Sequence, residues 1–543
     1  MRQISEIAHQ LGLGADEYRV VGPYVAKIPV SVVRNRAAKA PRGKLILVTG
    51  MTPTRHGEGK TVTAIGLVDG LSRLGRSAVA CVRQPSLGPV FGIKGGATGG
   101  GRTTVEPSSS INFGFTGDIY AVASAHNLLA ATIDNHIYHG NALGIDPERI
   151  VWPRTMDMED RALRHITIAV KDPHEAPHAS AFIITAASEV MAILALARDY
   201  VDLKARLGRI LVGFTRGGAV VRARDLHVDG AMAALLRDAL EPNLVQTSEG
   251  APALVHGGPF GNLAHGTSSR LSIELALATA DYCVVEAGFS TELGAEKFVD
   301  IVTPILGIDV DAAVLVVTQR GLRFQGGATD EESGQPNLAA LERGLENLEQ
   351  HLENLASLGL HGVIALNKFP GDTPEEAERI RALAQRHGVS VISARGFEEG
   401  WAGCLDLARE AVRIGGLGKH SHPLSPPGTP VLSQVRTIAT RLYGAGDAIA
   451  TPEAEEEARQ LEAIGEATGP VCVAKTPLSL SDDPKRRGRP RDFSVRVVRL
   501  ARSAGAGFTV AYLGSIEAMP GLPVKPSAEE IDVTADGEVT GIH

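Results

Sequence analysis

Short apolar runs punctuate the chain at residues 44–48, 78–82, 182–185, 210–212, 282–285, 313–318 and 363–366, and several end in glycine or a polar loop before a helically spaced segment. Runs without polar alternation are those of strands buried on both faces. Interleaved with helical patterns they predict βα units, hence an α/β fold around a parallel sheet with ligands gathered beyond the carboxyl ends of its strands. A long charge-rich helix is predicted over 336–358 and another over 374–387, both within a smaller central α/β unit. The Pro/Gly/Ser-rich stretch 415–430 reads as a linker. The chain therefore divides into 1–305, a central domain 306–419 and a C-terminal domain 420–543.

The segment 48–63, VTGMTPTRHGEGKTVT, joins the first of these runs to a helix. Backbone N–H groups around Gly57 and Gly59 can wrap phosphate oxygens, Lys60 can reach the outer phosphates, and Thr61 can hold Mg²⁺ at the positive end of the helix. Thr54 stands where GxxxxGK[ST] would carry its first glycine, so an ordinary turn is the competing reading. The strand–loop–helix context favours a nucleoside triphosphate, and 1–305 is read as a P-loop domain. The guanine-reading motif Asn-Lys-x-Asp is broken at Asn367-Lys368-Phe369-Pro370, where proline replaces the aspartate, so ATP is preferred over GTP.

Other candidates lie at strand ends. Arg83 follows the second run, where a guanidinium can clamp a carboxylate or an acyl phosphate. Lys94 sits in the glycine-rich stretch 92–101, which reads equally as an anion-contacting loop or a flexible one. Glu286 ends the run 282–285, suited to a Mg²⁺-linked carboxylate or to a plain helix-start acid. His256 and His265 frame a loop of glycines and a proline that reads as a site loop. His126, His136 and His139 fall near helical spacing, and a core or helix-surface role outweighs metal ligation for them.

Composition narrows the function further. The 543 residues are 44% hydrophobic and 21% charged with net charge −8, ordinary for a soluble globular protein and without the bulk positive charge that nucleic acid or an anionic membrane surface attracts. The basic stretch 485–491 contains an Arg-Gly-Arg-Pro core like that of minor-groove hooks, but Asp482 and Asp483 precede it within a patterned region, so DNA binding is a minor reading. The N-terminus lacks a leader pattern and no apolar span has membrane length, so a cytoplasmic protein is expected. The four cysteines are scattered without a CxxC pair and read as buried thiols.

Together the segments resemble the formate–tetrahydrofolate ligase family over essentially the whole chain. The matching blocks include PTxxGEGKT at 53–61, RxPSLGPVFGIKGGA at 83–97, FTGD at 115–118, NLLAATIDNHIYHGN at 127–141 and NLVQTxEG at 243–250. VHGGPFxNxAHG at 255–266, EAGF at 286–289, LGAEKF at 293–298, SLSDDPK at 479–485 and MPGLP at 519–523 continue the pattern. The resemblance implies that ATP phosphorylates formate to formyl phosphate, whose carbonyl is then attacked by the amine of tetrahydrofolate. It implies a nucleotide site of Thr54, Gly57, Glu58, Gly59, Lys60, Thr61 and Thr63, with Lys60 and Arg83 catalytic and Thr61 and Glu286 on Mg²⁺. A homotetramer or homodimer, a response to K⁺ or NH₄⁺, and pterin stacking on aromatics including Phe369 follow from the same likeness.

Departures from the family pattern cluster on the carboxylate and pterin sides. Gln84 stands where the family usually has glutamate, and Ser108 to Phe115 replaces a block with two more carboxylates and a histidine, changing Ser109, Ser110 and Gly114. Glu292 replaces an aspartate, and Gly396 occupies the place of the second pterin-stacking residue, a tryptophan, with Phe397 or Trp401 nearby to compensate. Arg83, Gln84, Lys94, Ser110, Gly114, Glu292, Phe369, Gly396 and Phe397 are thus the expected substrate-side residues. An acyl-phosphate-forming ligase for another small carboxylate or amine is the alternative, and a non-enzymatic P-loop module a distant third.

Overall fold

The computed structural model describes residues 1–39, 42–94, 96–169, 177–418 and 420–542. Seven parallel strands form its centre: β1 (Lys44–Gly50), β2 (Ala78–Val82), β3 (Pro252–Val255), β4 (Tyr282–Glu286), β5 (Ala312–Val317), β6 (Gly362–Asn367) and β7 (Ser390–Ala394), in the spatial order β3-β2-β4-β1-β5-β6-β7. The antiparallel strand Asn243–Thr247 extends the sheet beyond β3. Side chains alternate between two apolar layers: Leu45 and Leu47 point into one, Ile46 and Val48 into the other, and β4, β5 and β6 divide the same way. Both faces being covered, β1, β2, β4, β5 and β6 show the unbroken apolar runs seen in the sequence.

Helix α1 (Lys60–Arg73) and helix α4 (Leu405–Ile414) cover one face through Ile65, Val68, Leu71, Leu407 and Ala411. The segment after β4 instead packs on the opposite face, through Phe298, Val299 and Ile301, together with α2 (Leu338–Ser357) and α3 (Pro374–Arg386). Neighbouring strands β1 and β4 therefore send their chains to opposite sides of the sheet. That divergence opens a crevice at their carboxyl ends, the place where open α/β sheets bind ligands.

The runs at 182–185 and 210–212 do not join this sheet as expected. Phe182–Ile184 pairs with Arg154–Met156, and Leu211–Thr215 lies antiparallel to Val220–Arg222 and Ile145–Ile150, all within the long crossover from β2 to β3. The sheet is continuous across residue 306, since β5 hydrogen-bonds β1 on one side and β6 on the other, so the division expected there falls between paired strands. Beyond residue 420 a separate four-stranded sheet forms from Asp447–Ala450, Ser494–Ser503, Phe508–Leu513 and Val471–Ala474. Residue 419, at the expected boundary, and Gly95, in the glycine-rich stretch, lie outside the described residues. No helix among the described residues is long and apolar enough to cross a membrane.

Candidate active site

The loop between β1 and α1 ends at Gly59, whose φ of +76° puts it in the left-handed region open to glycine, and Gly57 is similar at +75°. No side chain caps α1, so the N–H groups of its first turn are left for another acceptor. Lys60 opens the helix and lays its aliphatic stem over Gly50, where a Cβ would meet Lys60 Cδ at 3.2 Å. Burial pulls its ammonium below the ordinary lysine value, with Glu286 and Glu58 opposing. Thr61 Oγ1 donates to Glu286 Oε2 at 2.8 Å, joining α1 to the end of β4. Such a hydroxyl and carboxylate are hard oxygen donors of the kind Mg²⁺ takes.

Arg83 leaves the end of β2 and donates to the carbonyl of Pro259 at 3.2 Å. Around it three glycines come together: a Cβ at Gly288 would meet Arg83 Nη2 at 3.5 Å and Gly261 Cα at 3.5 Å, and one at Gly266 would meet Gly261 Cα at 2.5 Å. Lys297 pins this loop by donating to the carbonyls of Gly261 at 2.7 Å and Asn262 at 3.2 Å. Phe289 adopts φ +61°, which strains a bulky residue, and its ring packs on Gly261. His265, in the same loop, is 1% exposed with neither ring nitrogen hydrogen-bonded among the described residues. Burial, then Arg83 and Lys297, press it down to about 3, so it is neutral. This glycine cradle escaped the sequence reading. The glycines of 257–266 and the EAGF block were its only traces.

Lys94 is exposed, and it stands within electrostatic range of Arg83, Glu286 and Lys60. Desolvation first, then Arg83, push it down to about 8, while Glu286 opposes. Gln84 is 2% exposed, and neither its amide oxygen nor its nitrogen has a hydrogen-bond partner among the described residues. Phe369 and Phe397 follow the paired ends of β6 and β7, where Asn367 lies opposite Ala394, and are 37% and 56% exposed. The Phe397 ring lies against Gly100 and Gly101, where a Cβ would meet it at 3.0 and 2.8 Å.

Other expected site residues stand elsewhere or serve differently. Thr63 is buried within α1 and donates to the Gly59 carbonyl at 2.9 Å, while Thr54 donates its N–H to Glu58. Gly396 is buried, and a Cβ there would meet Cys404 Sγ at 3.1 Å and Thr103 Oγ1 at 3.3 Å, leaving no room for a ring without rearrangement. Glu292 is fully buried against Lys475 Nζ at 3.4 Å. Ser110 and Gly114 face solvent, on and just after the short helix Ser108–Asn112. His126 is a core residue: it pairs with Ser188 Oγ at 2.8 Å and the Pro153 carbonyl at 2.9 Å and stacks on Trp152. His256 is likewise engaged, by Ser269 Oγ and the Ala239 carbonyl, each at 2.6 Å. In the basic stretch Arg487 donates to the Ala328 carbonyl at 2.6 Å and Arg489 pairs with Glu353 at 2.6 Å, so two of its arginines are spent within the fold.

A switch-point crevice that brings Lys60, Arg83 and Lys94 into mutual electrostatic range with Glu286 defines an α/β protein equipped to handle anions. Its family is settled by comparison: the model of the formate–tetrahydrofolate ligase family matches residues 1–543, and the chain belongs to that family of ATP-dependent ligases. It is 50% identical over 540 residues to the formate–tetrahydrofolate ligase of Thermus thermophilus, covering 99% of this chain and 98% of that protein. The Paracoccus denitrificans protein of the same name is 48% identical over 540 residues, 99% and 97% of the two chains. That of a Nocardioides species is 47% identical over 548 residues, all of this chain and 98% of the other.

Proposed function

We propose that this chain phosphorylates formate with MgATP and transfers the resulting formyl group to the amine of tetrahydrofolate at the crevice beyond β1, β2 and β4. The convergence of Lys60, Arg83 and the Thr61–Glu286 pair on one switch point carries the siting. A formate oxygen attacks the γ-phosphorus and ADP leaves; the acceptor amine then attacks the carbonyl, the C–O bond breaks, and phosphate leaves with the proton the amine gives up. Lys60 and the N–H groups of the first turn of α1 offset charge on the transferring phosphoryl group. Thr61 and Glu286 would hold Mg²⁺, which supplies neutralisation of phosphate oxygens. Arg83, braced by the Pro259 carbonyl, orients the carboxylate and then the acyl phosphate. Phe369 and Phe397 offer the acceptor two exposed rings at the ends of adjacent strands.

In this reading 1–305 handles nucleotide and acid, 306–419 presents the acceptor face, and 420–543 buttresses both. A cytoplasmic homotetramer or homodimer responsive to K⁺ or NH₄⁺ belongs to it, with Gln84 in place of the family's carboxylate. Another acid or amine is not favoured against near 50% identity over the full length. The test is to incubate the enzyme with MgATP, K⁺ and formate, with and without tetrahydrofolate, following ADP and formyltetrahydrofolate. Equal yields of the two, dependent on both substrates, support the reading. ATP binding without formylated product would transfer the weight to a different acid or amine.

A further inference from the structure

Glu58 lies inside the loop that precedes α1, between two candidate phosphate-binding glycines, yet it is 2% exposed and both its oxygens are occupied. Oε1 accepts from the N–H of Thr54 at 2.7 Å, and Oε2 accepts from the hydroxyl of Thr318, the residue just after β5. That hydroxyl in turn caps the helix Gln319–Gln325 by accepting from the Gly321 N–H at 2.9 Å. From the other side Asn367, the last residue of β6 and 4% exposed, donates its amide to the Glu58 carbonyl at 3.0 Å. The same amide abuts Gly59 so closely that any Cβ there would overlap it. The ends of β5 and β6 thus grip the loop that follows β1 through three side chains, those of Glu58, Thr318 and Asn367.

We propose that Glu58 and Asn367 are positioning residues that hold 54–59 in its anion-accepting shape before nucleotide arrives. The proposal rests on the reading of 54–61 as the nucleotide loop. A loop that is already ordered spends less of its binding energy on immobilisation, so the grip enters as nucleotide affinity. The Glu58 carboxylate is committed to backbone and hydroxyl donors and is not a metal ligand. The Asn367 amide, in the segment that matches the first residues of a guanine-reading motif, braces a backbone carbonyl and reads no base. Each contact is a hydrogen bond to a buried group, the kind whose loss leaves a partner unsatisfied.

The experiment uses the full chain and the variants Glu58→Ala, Glu58→Gln and Asn367→Ala, measuring MgATP dissociation constants at equilibrium and KM and kcat for each substrate. Both alanine variants are expected to weaken MgATP about tenfold, while KM for formate and tetrahydrofolate moves by about twofold or less. Glu58→Gln regains most of the loss, because its amide oxygen accepts from Thr54 and its amide N–H₂ donates to Thr318 Oγ1. Unchanged MgATP affinity in either alanine variant overturns the proposal. So does a Glu58→Gln enzyme that binds MgATP normally and has lost turnover, since the charge would then act on the chemistry. Should Glu58→Ala fail to fold, Asn367→Ala and Glu58→Gln decide alone. Lys60→Ala separates the two levels: full turnover in that variant sinks the nucleotide-loop reading itself, whereas its loss alongside unmoved Asn367→Ala affinity sinks only the grip.

Discussion

Three cations, Lys60, Arg83 and Lys94, gather at the end of the sheet. Lys60 is set by its place in the first turn of α1 and by the bare Gly50 beneath its stem. Lys60→Ala is expected to lower kcat by a factor of about 100 or more, roughly 3 kcal/mol of transition-state stabilisation, read by single-turnover ADP formation. Arg83 is set by the glycine cradle and Pro259, and Arg83→Ala should raise KM for formate or abolish its use while MgATP binding survives; a collapse of nucleotide affinity would show that this role is wrong. Lys94, pushed down to about 8, carries its charge below that pH and sheds it above. Affinity for the anionic substrate should therefore fall as pH rises through about 8, and Lys94→Arg, which stays charged, should flatten that fall in a pH profile of formate KM.

At the scale of elements, the sheet edge decides what the acceptor meets. Gly396 lies under its neighbours, whereas Phe397, one residue on, lies exposed on Gly100 and Gly101. Gly396→Trp is consequently expected to destabilise the fold by about 1–3 kcal/mol through overpacking against Cys404 and Thr103, without tightening acceptor binding. Phe397→Ala should weaken tetrahydrofolate binding several-fold with MgATP affinity retained, measured by KM for each. β2, β4, β5 and β6 were legible within a residue or so, because strands buried on both faces leave unbroken apolar runs. β7 was not, since four of its five residues are only partly buried and its sequence lacks that signature. The runs at 182–185 and 210–212 had the right local character, but hydrophobicity carries no record of which partner strand a run will find.

Over the whole molecule, a buried ion pair ties the C-terminal region to the main sheet. Lys475 donates to Glu292 Oε1 at 3.4 Å, to the Thr476 carbonyl at 3.0 Å and to the Ser479 carbonyl, three acceptors for its three ammonium hydrogens, and while burial pulls the lysine below its ordinary value Glu292 opposes that shift. Burial opposes ionisation of Glu292, but Lys475 and then His351 outweigh it and hold the carboxyl below its ordinary value. Lys475→Ala leaves that carboxylate buried without its counter-ion and is expected to cost about 3–5 kcal/mol in denaturant unfolding. Because the folded pKa of Glu292 is depressed, its stabilisation is complete above the unfolded carboxylate value and is lost as pH falls through the folded one.

The sequence by itself determined the α/β class, the strand–loop–helix around Lys60, the long helices and, through blocks spread along the chain, the family. Each of these is written in residues adjacent or regularly spaced in the chain. Tertiary structure alone decided that Glu292 would neutralise Lys475 rather than face substrate, that Gly396 would be covered and Phe397 presented, and that His265 would lie unpartnered near Arg83. It also decided that Glu58 and Asn367, 309 residues apart, would share one loop. Burial and partner choice depend on which strand ends the sheet order brings together, and that order is set by packing across hundreds of residues, where local pattern carries no information.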